Sequence, residues 1–333
     1  MHEAKYWHPE GDAVRCELCP HACKIADGKR GICGVRENRN GTLFSLVYGL
    51  STGPSVDPIE KKPLYHFHPG SKVLSYGTIG CNLKCLHCQN YTTSQATMEM
   101  PYLEKVGLED IPLLCKRHGC GGVAWTYNEP TIWYEYNLDG CKLAKSHNLY
   151  TCYVTNGFMS EAPLREIAPY LDAMNIDVKG FREEFYTKVC KAKLKPVLDT
   201  CVRARELKIH IELTYLVIPT YNDSEAELSE FSRWVADSLG KDVPVHFSRF
   251  HPDYRLTDAP ATPFQTLKNA HELAKKAGLE YVYIGNVPGS TEDNTYCPKC
   301  NALLIERQGF IINLNRVKNS ACGKCGTKVN VIG

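Results

Sequence analysis

Between residues 77 and 88 the chain reads Gly77-Thr78-Ile79-Gly80-Cys81-Asn82-Leu83-Lys84-Cys85-Leu86-His87-Cys88, which places three cysteines in the spacing C-x3-C-x2-C. The short apolar run before it, at 73–76, predicts a buried strand that ends at this glycine-rich loop. Three thiolates on one loop suit a [4Fe–4S] cluster, because one of its irons is then left for a small molecule to bind. A single zinc ion would need a fourth ligand, which His87 or His66 could supply. The spacing and the glycine-rich strand end favour the cluster.

The residues after this loop alternate short β-like runs with longer helical patterns. Predicted strands lie at 73–76, 122–126, 150–155, 173–177, 209–217, 245–250 and 281–284. Predicted helices lie near 104–118, 131–147, 197–208, 223–239 and 262–277. This α/β alternation predicts βαβ units around a parallel sheet, and such a series fits a complete or partial β/α barrel. In such a sheet the functional side chains lie at the C-terminal ends of the strands.

The same alternation divides the chain into three regions. Residues 1–70 form a Cys-rich N-terminal extension with little periodicity beyond the short apolar stretch Leu43–Leu50. Residues 71–290 carry the predicted barrel, and residues 291–333 form a small Cys-rich tail. A chain of 333 residues is long enough for one large domain with two such appendages.

Composition limits the classes of partner. Hydrophobic residues make up 43% of the chain and charged residues 23%, which is ordinary for a soluble globular protein. The 39 Lys and Arg residues against 37 Asp and Glu residues give a net charge of +2, so there is no bulk attraction to nucleic acid or to an anionic membrane. The N-terminus lacks the apolar core of a secretory signal, and no apolar run reaches the length of a membrane span. We therefore expect a cytoplasmic protein with reduced thiols.

The cysteines fall mostly into groups. Six of the 17 stand alone and are most simply buried apolar residues: Cys115, Cys120, Cys141, Cys152, Cys190 and Cys201. The N-terminal group consists of Cys16, Cys19, Cys23 and Cys33. Four thiolates on a glycine-containing loop can close a zinc site or hold an auxiliary iron–sulfur cluster, and the spacing does not choose between the two.

The C-terminal cysteine group has a clearer pattern. Cys297-Pro298-Lys299-Cys300 and Cys322-Gly323-Lys324-Cys325 form two C-x2-C pairs, a spacing typical of zinc ribbons. The apolar segments between the pairs predict a short hairpin. A tail of this size has too small a core to fold without a metal, so we predict a structural zinc ion on Cys297, Cys300, Cys322 and Cys325. Its few basic residues do not indicate a nucleic-acid partner.

The central motif, at the end of the first predicted strand, resembles that of the radical S-adenosylmethionine (SAM) superfamily. The resemblance implies that Cys81, Cys85 and Cys88 hold a [4Fe–4S] cluster whose free iron binds SAM. After the second predicted strand, Thr126-Tyr127-Asn128-Glu129-Pro130 resembles the superfamily's Gly-Gly-Glu-Pro element, with Tyr and Asn in place of the two glycines. The resemblance implies that Glu129 helps to bind the SAM amino group. The alternative is that Glu129 only stabilises the N-terminus of the next helix.

The next two strand ends resemble those of pyruvate formate-lyase activating enzyme and its relatives. Their Asp-Thr-Asn-Gly and Asp-Leu-Lys elements are matched at Thr155, Asn156, Asp177 and Lys179, although Val154 stands in place of an Asp. The resemblance implies that these four matching residues lie beside SAM. Asp177 and Lys179 share a face of a strand, so the alternative for them is a partly buried ion pair.

Two histidines lie near the end of a later strand. Ser248-Arg249-Phe250-His251-Pro252 resembles a stretch that presents a histidine towards adenine or ribose, which implies that His251 contacts SAM. His246 lies inside an apolar strand and is expected to be a core histidine with its hydrogen bonds satisfied.

The whole chain resembles a narrower group, the AmmeMemoRadiSam-system radical SAM proteins. The block 57–67, which reads Asp-Pro-Ile-Glu-Lys-Lys-Pro-Leu-Tyr-His-Phe, carries this resemblance, together with Leu18-Cys19-Pro20-His21-Ala22-Cys23. These proteins are named for their genomic association with a Memo-family protein, so the resemblance implies a Memo-family partner. It does not name a reaction.

The sequence leads to three ranked functions. First, the enzyme takes an electron from an external donor, cleaves SAM reductively, and uses the resulting 5′-deoxyadenosyl radical to abstract hydrogen from an unidentified substrate. The second is an activase that places a glycyl radical on a protein partner. The third is a zinc-binding interaction protein in which all three cysteine groups are structural.

Overall fold

The computed structural model describes residues 1–99, 102–287 and 289–333, and its largest unit is an eight-stranded sheet. In chain order its strands are β1 (Ser55–Pro58), β2 (Lys72–Tyr76), β3 (Gly122–Trp125), β4 (Tyr150–Thr155), β5 (Ala173–Asp177), β6 (His210–Val217), β7 (Val245–Arg249) and β8 (Val282–Gly285). Strands β2 to β8 are parallel and pair in sequence order, while β1 pairs antiparallel with β2. Since β1 and β8 form the two edges, the sheet is a partial barrel, and the predicted fold class is confirmed.

Helices connect the parallel strands. They are α1 (Asp110–His118), α2 (Tyr134–Ser146), α3 (Glu161–Ile167), α4 (Leu194–Glu206), α5 (Glu225–Ser238) and α6 (Phe264–Lys276). The prediction of a helix from residue 104 is wrong at its start, because residues 104–105 form a short strand instead. Helix α3 was not predicted, since it is short and contains a proline. Among the described residues, no helix combines the length and the apolar character needed to cross a membrane.

Strand β6 brings polar side chains into the barrel. Successive side chains of a strand point to opposite faces, so His210, Glu212, Thr214 and Leu216 share the inner face. Thr214 and Leu216 lie in the C-terminal half of the strand, with Glu212 and then His210 at increasing depth below them. A buried parallel strand is usually apolar throughout. The polar positions of β6 are therefore an exception that needs partners inside the barrel.

The N-terminal extension contains more regular structure than predicted. Its strands form two three-stranded antiparallel sheets, from residues His2–Glu3, Arg36–Arg39 and Thr42–Ser45, and from Trp7–Glu10, Ala13–Cys16 and Lys24–Ala26. A fully buried ion pair between Arg36 and Glu135 joins this extension to helix α2. The indole of Trp133 adds a hydrogen bond of 2.7 Å to the carbonyl of Val47.

The C-terminal tail contains the predicted hairpin, formed by Leu303–Gln308 and Ile311–Asn315, with Thr295–Tyr296 as a third strand. The tail contacts both edges of the open barrel. Arg307 donates to the carbonyl of Tyr65, in the segment that joins β1 to β2, at 2.7 Å. On β8, the Tyr283 hydroxyl lies 2.8 Å from the Thr295 hydroxyl. The tail therefore covers the side of the barrel that the sheet leaves open.

Candidate active site

A cavity of about 570 Å³ lies at the C-terminal ends of the parallel strands, and its size suits a small-molecule cofactor with part of a substrate. The residues that line it include all but one of those predicted for the cluster and for SAM: Cys81, Cys85, Cys88, Glu129, Thr155, Asn156, Asp177 and Lys179. His251 is the exception, because it is exposed and lies outside this lining. The structure therefore brings the strand-end residues together and does not place His251 with them.

Contacts with three parts of the chain hold the cysteine loop in place. Gly80 has a φ of +87°, and a Cβ added there would lie 2.6 Å from the carbonyl oxygen of Cys33, so only glycine fits. The side chain of Asn128 accepts from the amide of Thr78 at 3.1 Å and donates to the carbonyl of Gly80 at 2.9 Å. On the far side, the Lys84 amide donates to the carbonyl of Cys190 at 3.0 Å.

The thiols of this loop are suited to bind metal. Cys81 Sγ is 3.3 Å from the Leu83 amide and 3.6 Å from Asn156 Nδ2, and Cys88 Sγ is 3.0 Å from Ser94 Oγ. Burial raises the pKa of the Cys81 and Cys88 thiols, so without a metal they would hold their protons. A metal replaces those protons, and N–H and O–H donors then stabilise the thiolate sulfurs. The donor set therefore fits an iron–sulfur cluster.

Glu129 makes structural contacts and also faces the cavity. It is almost fully buried; Oε1 accepts from the Thr131 amide and the Thr155 hydroxyl at 2.8 Å each, and Oε2 accepts from the Asn156 amide at 2.8 Å. Burial raises the pKa of Glu129, although these hydrogen bonds oppose the shift. The helix-capping interpretation is thus correct for the turn Pro130–Trp133. It does not exclude a ligand, since the same carboxylate lines the cavity.

Tyr127 and Asn128, which stand in place of the two glycines of the Gly-Gly-Glu-Pro element, each make structural contacts. Tyr127 has a φ of +72°, a left-handed conformation that costs a non-glycine residue free energy. Its hydroxyl donates to Asp57, which Lys62 also contacts at 2.7 Å. Asn128 fixes the cysteine loop through the hydrogen bonds given above. The block 57–67 therefore supports the strand-end segment of the cavity.

Asp177 and Lys179 form the ion pair that was predicted as their alternative role. Lys179 Nζ lies 2.9 Å from Asp177 Oδ2, and both residues also line the cavity. Asn156 donates from Nδ2 to Asn82 Oδ1 at 2.9 Å and so connects the end of β4 with the cysteine loop.

Among the other residues that line the cavity are His87, Lys62 and Phe310, none of which was predicted to bind the cluster or SAM; His87 was considered only as a fourth ligand of a zinc ion. His87 is buried, neither of its ring nitrogens has a partner within the part of the chain that the structure describes, and burial lowers its pKa to about 3. Lys62 comes from the segment after β1, and Phe310 comes from the tip of the tail hairpin. The signal for His87 is its place inside the cysteine motif. Phe310 had no sequence signal, since only the docked tail brings it there.

The two flanking cysteine groups differ in geometry. In the tail, Cys297, Cys300, Cys322 and Cys325 have sulfurs all within 4.8 Å of one another, including contacts of 3.7 and 3.8 Å. A zinc ion with tetrahedral bonds of about 2.3 Å to sulfur needs spacings of this order. The N-terminal Cys16, Cys19, Cys23 and Cys33 line a cavity of about 20 Å³, which Asn82 also lines. That group therefore lies directly behind the central cysteine loop.

Comparisons with known proteins indicate the family of the chain. The model of the Radical SAM superfamily matches residues 75–231. The chain is 48% identical over 337 residues to uncharacterized protein MJ0808 of Methanocaldococcus jannaschii, covering 100% of both chains. It is 24% identical over 176 residues to pyruvate formate-lyase 1-activating enzyme of Escherichia coli, covering 50% of this chain and 70% of that enzyme.

A solved structure, that of a radical SAM methyltransferase from Sphaerobacter thermophilus, matches with a TM-score of 0.50 and 12% identity, covering 66% of this chain and 67% of that chain. At this identity the match concerns the fold alone. The family match, the similarity to activating enzymes and the strand-end cavity do not support an interaction protein whose cysteines are all structural. The chain belongs to the radical SAM superfamily and is a SAM-dependent enzyme.

Proposed function

We propose that this enzyme cleaves SAM reductively in the strand-end cavity and that the resulting 5′-deoxyadenosyl radical abstracts hydrogen from a substrate bound in the same cavity. A [4Fe–4S] cluster on Cys81, Cys85 and Cys88 would supply the electron and a binding site for the amino and carboxylate groups of SAM. The observation that carries the proposal is the convergence of three thiols, Glu129 and Asn156 on one cavity.

The other residues of the cavity bind and orient. Glu129 offers a carboxylate to an ammonium group, and its own hydrogen bonds to the Thr131 and Asn156 amides fix its position. The Asp177–Lys179 pair places both charges at the rim of the same cavity. The tail covers the open side of the barrel, and Phe310 at the tip of its hairpin reaches the cavity.

The test is formation of 5′-deoxyadenosine by protein reconstituted without oxygen with iron and sulfide, then given dithionite and SAM. We expect product from the wild type and at most a trace from Cys85→Ala. Cys201→Ala is the matched control, because Cys201 is also buried but lies in helix α4, and it should keep the yield. A wild type without product, or equal yields from Cys85→Ala, would refute the proposal.

A glycyl-radical activase is the second candidate, and the similarity to pyruvate formate-lyase 1-activating enzyme favours it. In that case a protein partner would show a glycine-centred electron paramagnetic resonance signal after incubation with the enzyme and SAM. Relatives of this family need an electron donor, so we expect one here. The Memo-family partner stays a prediction, which co-purification would test.

The flanking cysteines would hold further metals. We propose zinc in the tail on the sulfur spacings given above. For the N-terminal group, zinc and an auxiliary iron–sulfur cluster stay the two candidates. The loss of zinc or of iron from a Cys19→Ser variant, measured by elemental analysis against the wild type, decides between them.

A further inference from the structure

A buried carboxylate lies inside the barrel beneath the active-site cavity. Glu212 is fully buried, and four N–H groups donate to it: the Tyr65 amide at 3.0 Å, the His66 amide at 2.7 Å, His210 Nε2 at 3.1 Å and His246 Nε2 at 2.8 Å. Burial would raise the pKa of Glu212, but the hydrogen bonds from the two histidines outweigh it and hold the pKa well below its usual range. Glu212 is therefore a carboxylate that can only accept hydrogen bonds.

This carboxylate fixes the tautomer of His246. Because Glu212 only accepts, the proton of the neutral His246 ring must lie on Nε2, which leaves a lone pair on Nδ1. Nδ1 has no hydrogen-bond partner among the described residues, and His246 lines the active-site cavity. The ring is 98% buried, so the cavity is the space open to this lone pair. The arrangement resembles a carboxylate that orients a histidine base.

We propose that His246 exchanges a proton with the substrate in this cavity through Nδ1, with Glu212 as the residue that positions the ring. The inference rests on the proposed function, because it requires a substrate in the same cavity. In the step, a proton moves from an O–H or N–H of the substrate to Nδ1, and the electron pair of the broken bond stays on oxygen or nitrogen. Glu212 then stabilises the imidazolium.

The proposal indicates a class of substrate. A carbon radical makes an adjacent O–H or N–H group more acidic, so a base in the cavity is useful when the carbon that loses hydrogen carries such a group. Ser248 and Asn286 also line this cavity and add hydrogen-bonding side chains near the ends of β7 and β8. We therefore expect a polar small molecule or side chain with a hydroxyl or amino group beside the reacting carbon.

Diethyl pyrocarbonate is the probe, because it acylates an imidazole nitrogen that has a free lone pair. The chain holds an internal control: His66 is buried, and its two nitrogens contact the Asn330 carbonyl at 2.6 Å and the Tyr283 hydroxyl at 2.5 Å. Mass spectrometry of the labelled wild type should find His246 modified at least about tenfold faster than His66, since hydrogen bonds protect the latter. Equal protection of the two histidines would overturn the proposal.

Two variants distinguish the loss of the Glu212 contact that orients His246 from a general loss of folding. Glu212→Gln has an amide that can donate to Nε2, so the proton shifts to Nδ1 and labelling of His246 should fall about tenfold while His66 stays protected. His210→Gln removes the other histidine from the same carboxylate and should leave His246 labelled as in the wild type. Unchanged labelling in Glu212→Gln would refute the positioning role. If that variant unfolds, His66 becomes labelled as well. In that case the ratio of the labelling rates of His246 and His66 in the wild type alone tests the proposal.

Formation of 5′-deoxyadenosine is measured on the same wild-type preparation. It tests SAM cleavage separately from proton exchange at His246. Protein that cleaves SAM but does not label at His246 overturns the proton-exchange site and leaves the proposed function standing. Protein that labels at His246 but never forms 5′-deoxyadenosine overturns the proposed function.

Discussion

At the scale of single residues, the left-handed backbone of Tyr127 is supported by the Asp57–Lys62 ion pair. This pair lies outside the strands that carry the residues predicted to bind the cluster and SAM. The Tyr127 hydroxyl donates to Asp57, which Lys62 contacts at 2.7 Å, and Lys62 is almost fully buried. Asp57→Asn would leave the Lys62 ammonium buried without a counter-charge. We expect the free energy of unfolding to fall by about 3–5 kcal/mol, measured by denaturant titration.

The matched control for Asp57 removes both charges. Asp57→Asn combined with Lys62→Met replaces the pair with neutral groups of similar size, so we expect it to recover most of the lost stability. Weaker SAM binding by Asp57→Asn, measured by equilibrium dialysis of folded protein, should accompany the loss, since Tyr127 then has a weaker partner. A double variant as unstable as the single one would contradict this explanation.

His66 makes stability depend on pH. Its Nδ1 donates to the Asn330 carbonyl, its Nε2 accepts from the Tyr283 hydroxyl, and burial lowers its pKa from 6.5 to about 3. The folded chain thus keeps His66 neutral while the unfolded chain binds a proton below pH 6.5. Stability contributed by this group is present above that pH and is lost as the pH falls towards 3, by about 1.4 kcal/mol per unit for one proton.

The measurement for His66 is a denaturant titration of wild type and His66→Gln at several values between pH 7 and pH 5. Glutamine can donate and accept but does not titrate, so the variant should lose less stability on acidification than the wild type. The expected difference in slope approaches about 1.4 kcal/mol per unit. Parallel curves would show that His66 is not held neutral.

At the scale of elements, the tail hairpin depends on its cysteine group. Its own core is small, with Leu304, Ile305, Val329 and Val331 as its buried aliphatic residues. If the tail holds the proposed metal, Cys322→Ser should lose it and speed amide exchange in residues 303–315, measured by hydrogen–deuterium exchange. Lys324→Ala, in the same C-x2-C pair and exposed, is the control and should exchange as the wild type does. Unaltered exchange in Cys322→Ser would mean that the hairpin folds without its metal.

The seven parallel strands were predictable because each is a short apolar run between turn residues, and burial on both faces makes that pattern strong. The strands of the N-terminal extension were not, since they are two to four residues long and depend on contacts such as Arg36 with Glu135. Strand β1 was missed for a related reason, because it is an edge strand that ends in Pro58.

The candidate site was predictable where it follows strand ends. Cys81 and Glu129 lie in the loops that follow strands, Asn156 and Asp177 lie at strand ends, and parallel strands bring those positions together. His246 required the fold, because its sequence pattern fits a core histidine equally well. Phe310 required the docking of the tail, a contact between residues far apart in the chain that no local pattern carries.

At the scale of the whole molecule, the N-terminal extension and the tail cover a barrel that is open on one side. The extension lies against the cysteine loop, where His21 contacts the carbonyl of Asn82 at 2.7 Å. A buried pair, Arg36 with Glu135, joins the extension to helix α2. The exposure of any cluster on that loop to oxygen should therefore depend on this distant pair.

Arg36→Met tests this dependence, because it leaves the Glu135 carboxylate buried and unpaired. We expect a loss of about 3–5 kcal/mol in the free energy of unfolding and faster bleaching of the iron–sulfur absorbance in air. Lys5→Met is the matched control: it also removes a cation of the extension, but its pair with Glu166 is partly exposed and contributes about 0–1 kcal/mol. Bleaching at the same rate in both variants would show that the extension does not shield the cluster from oxygen.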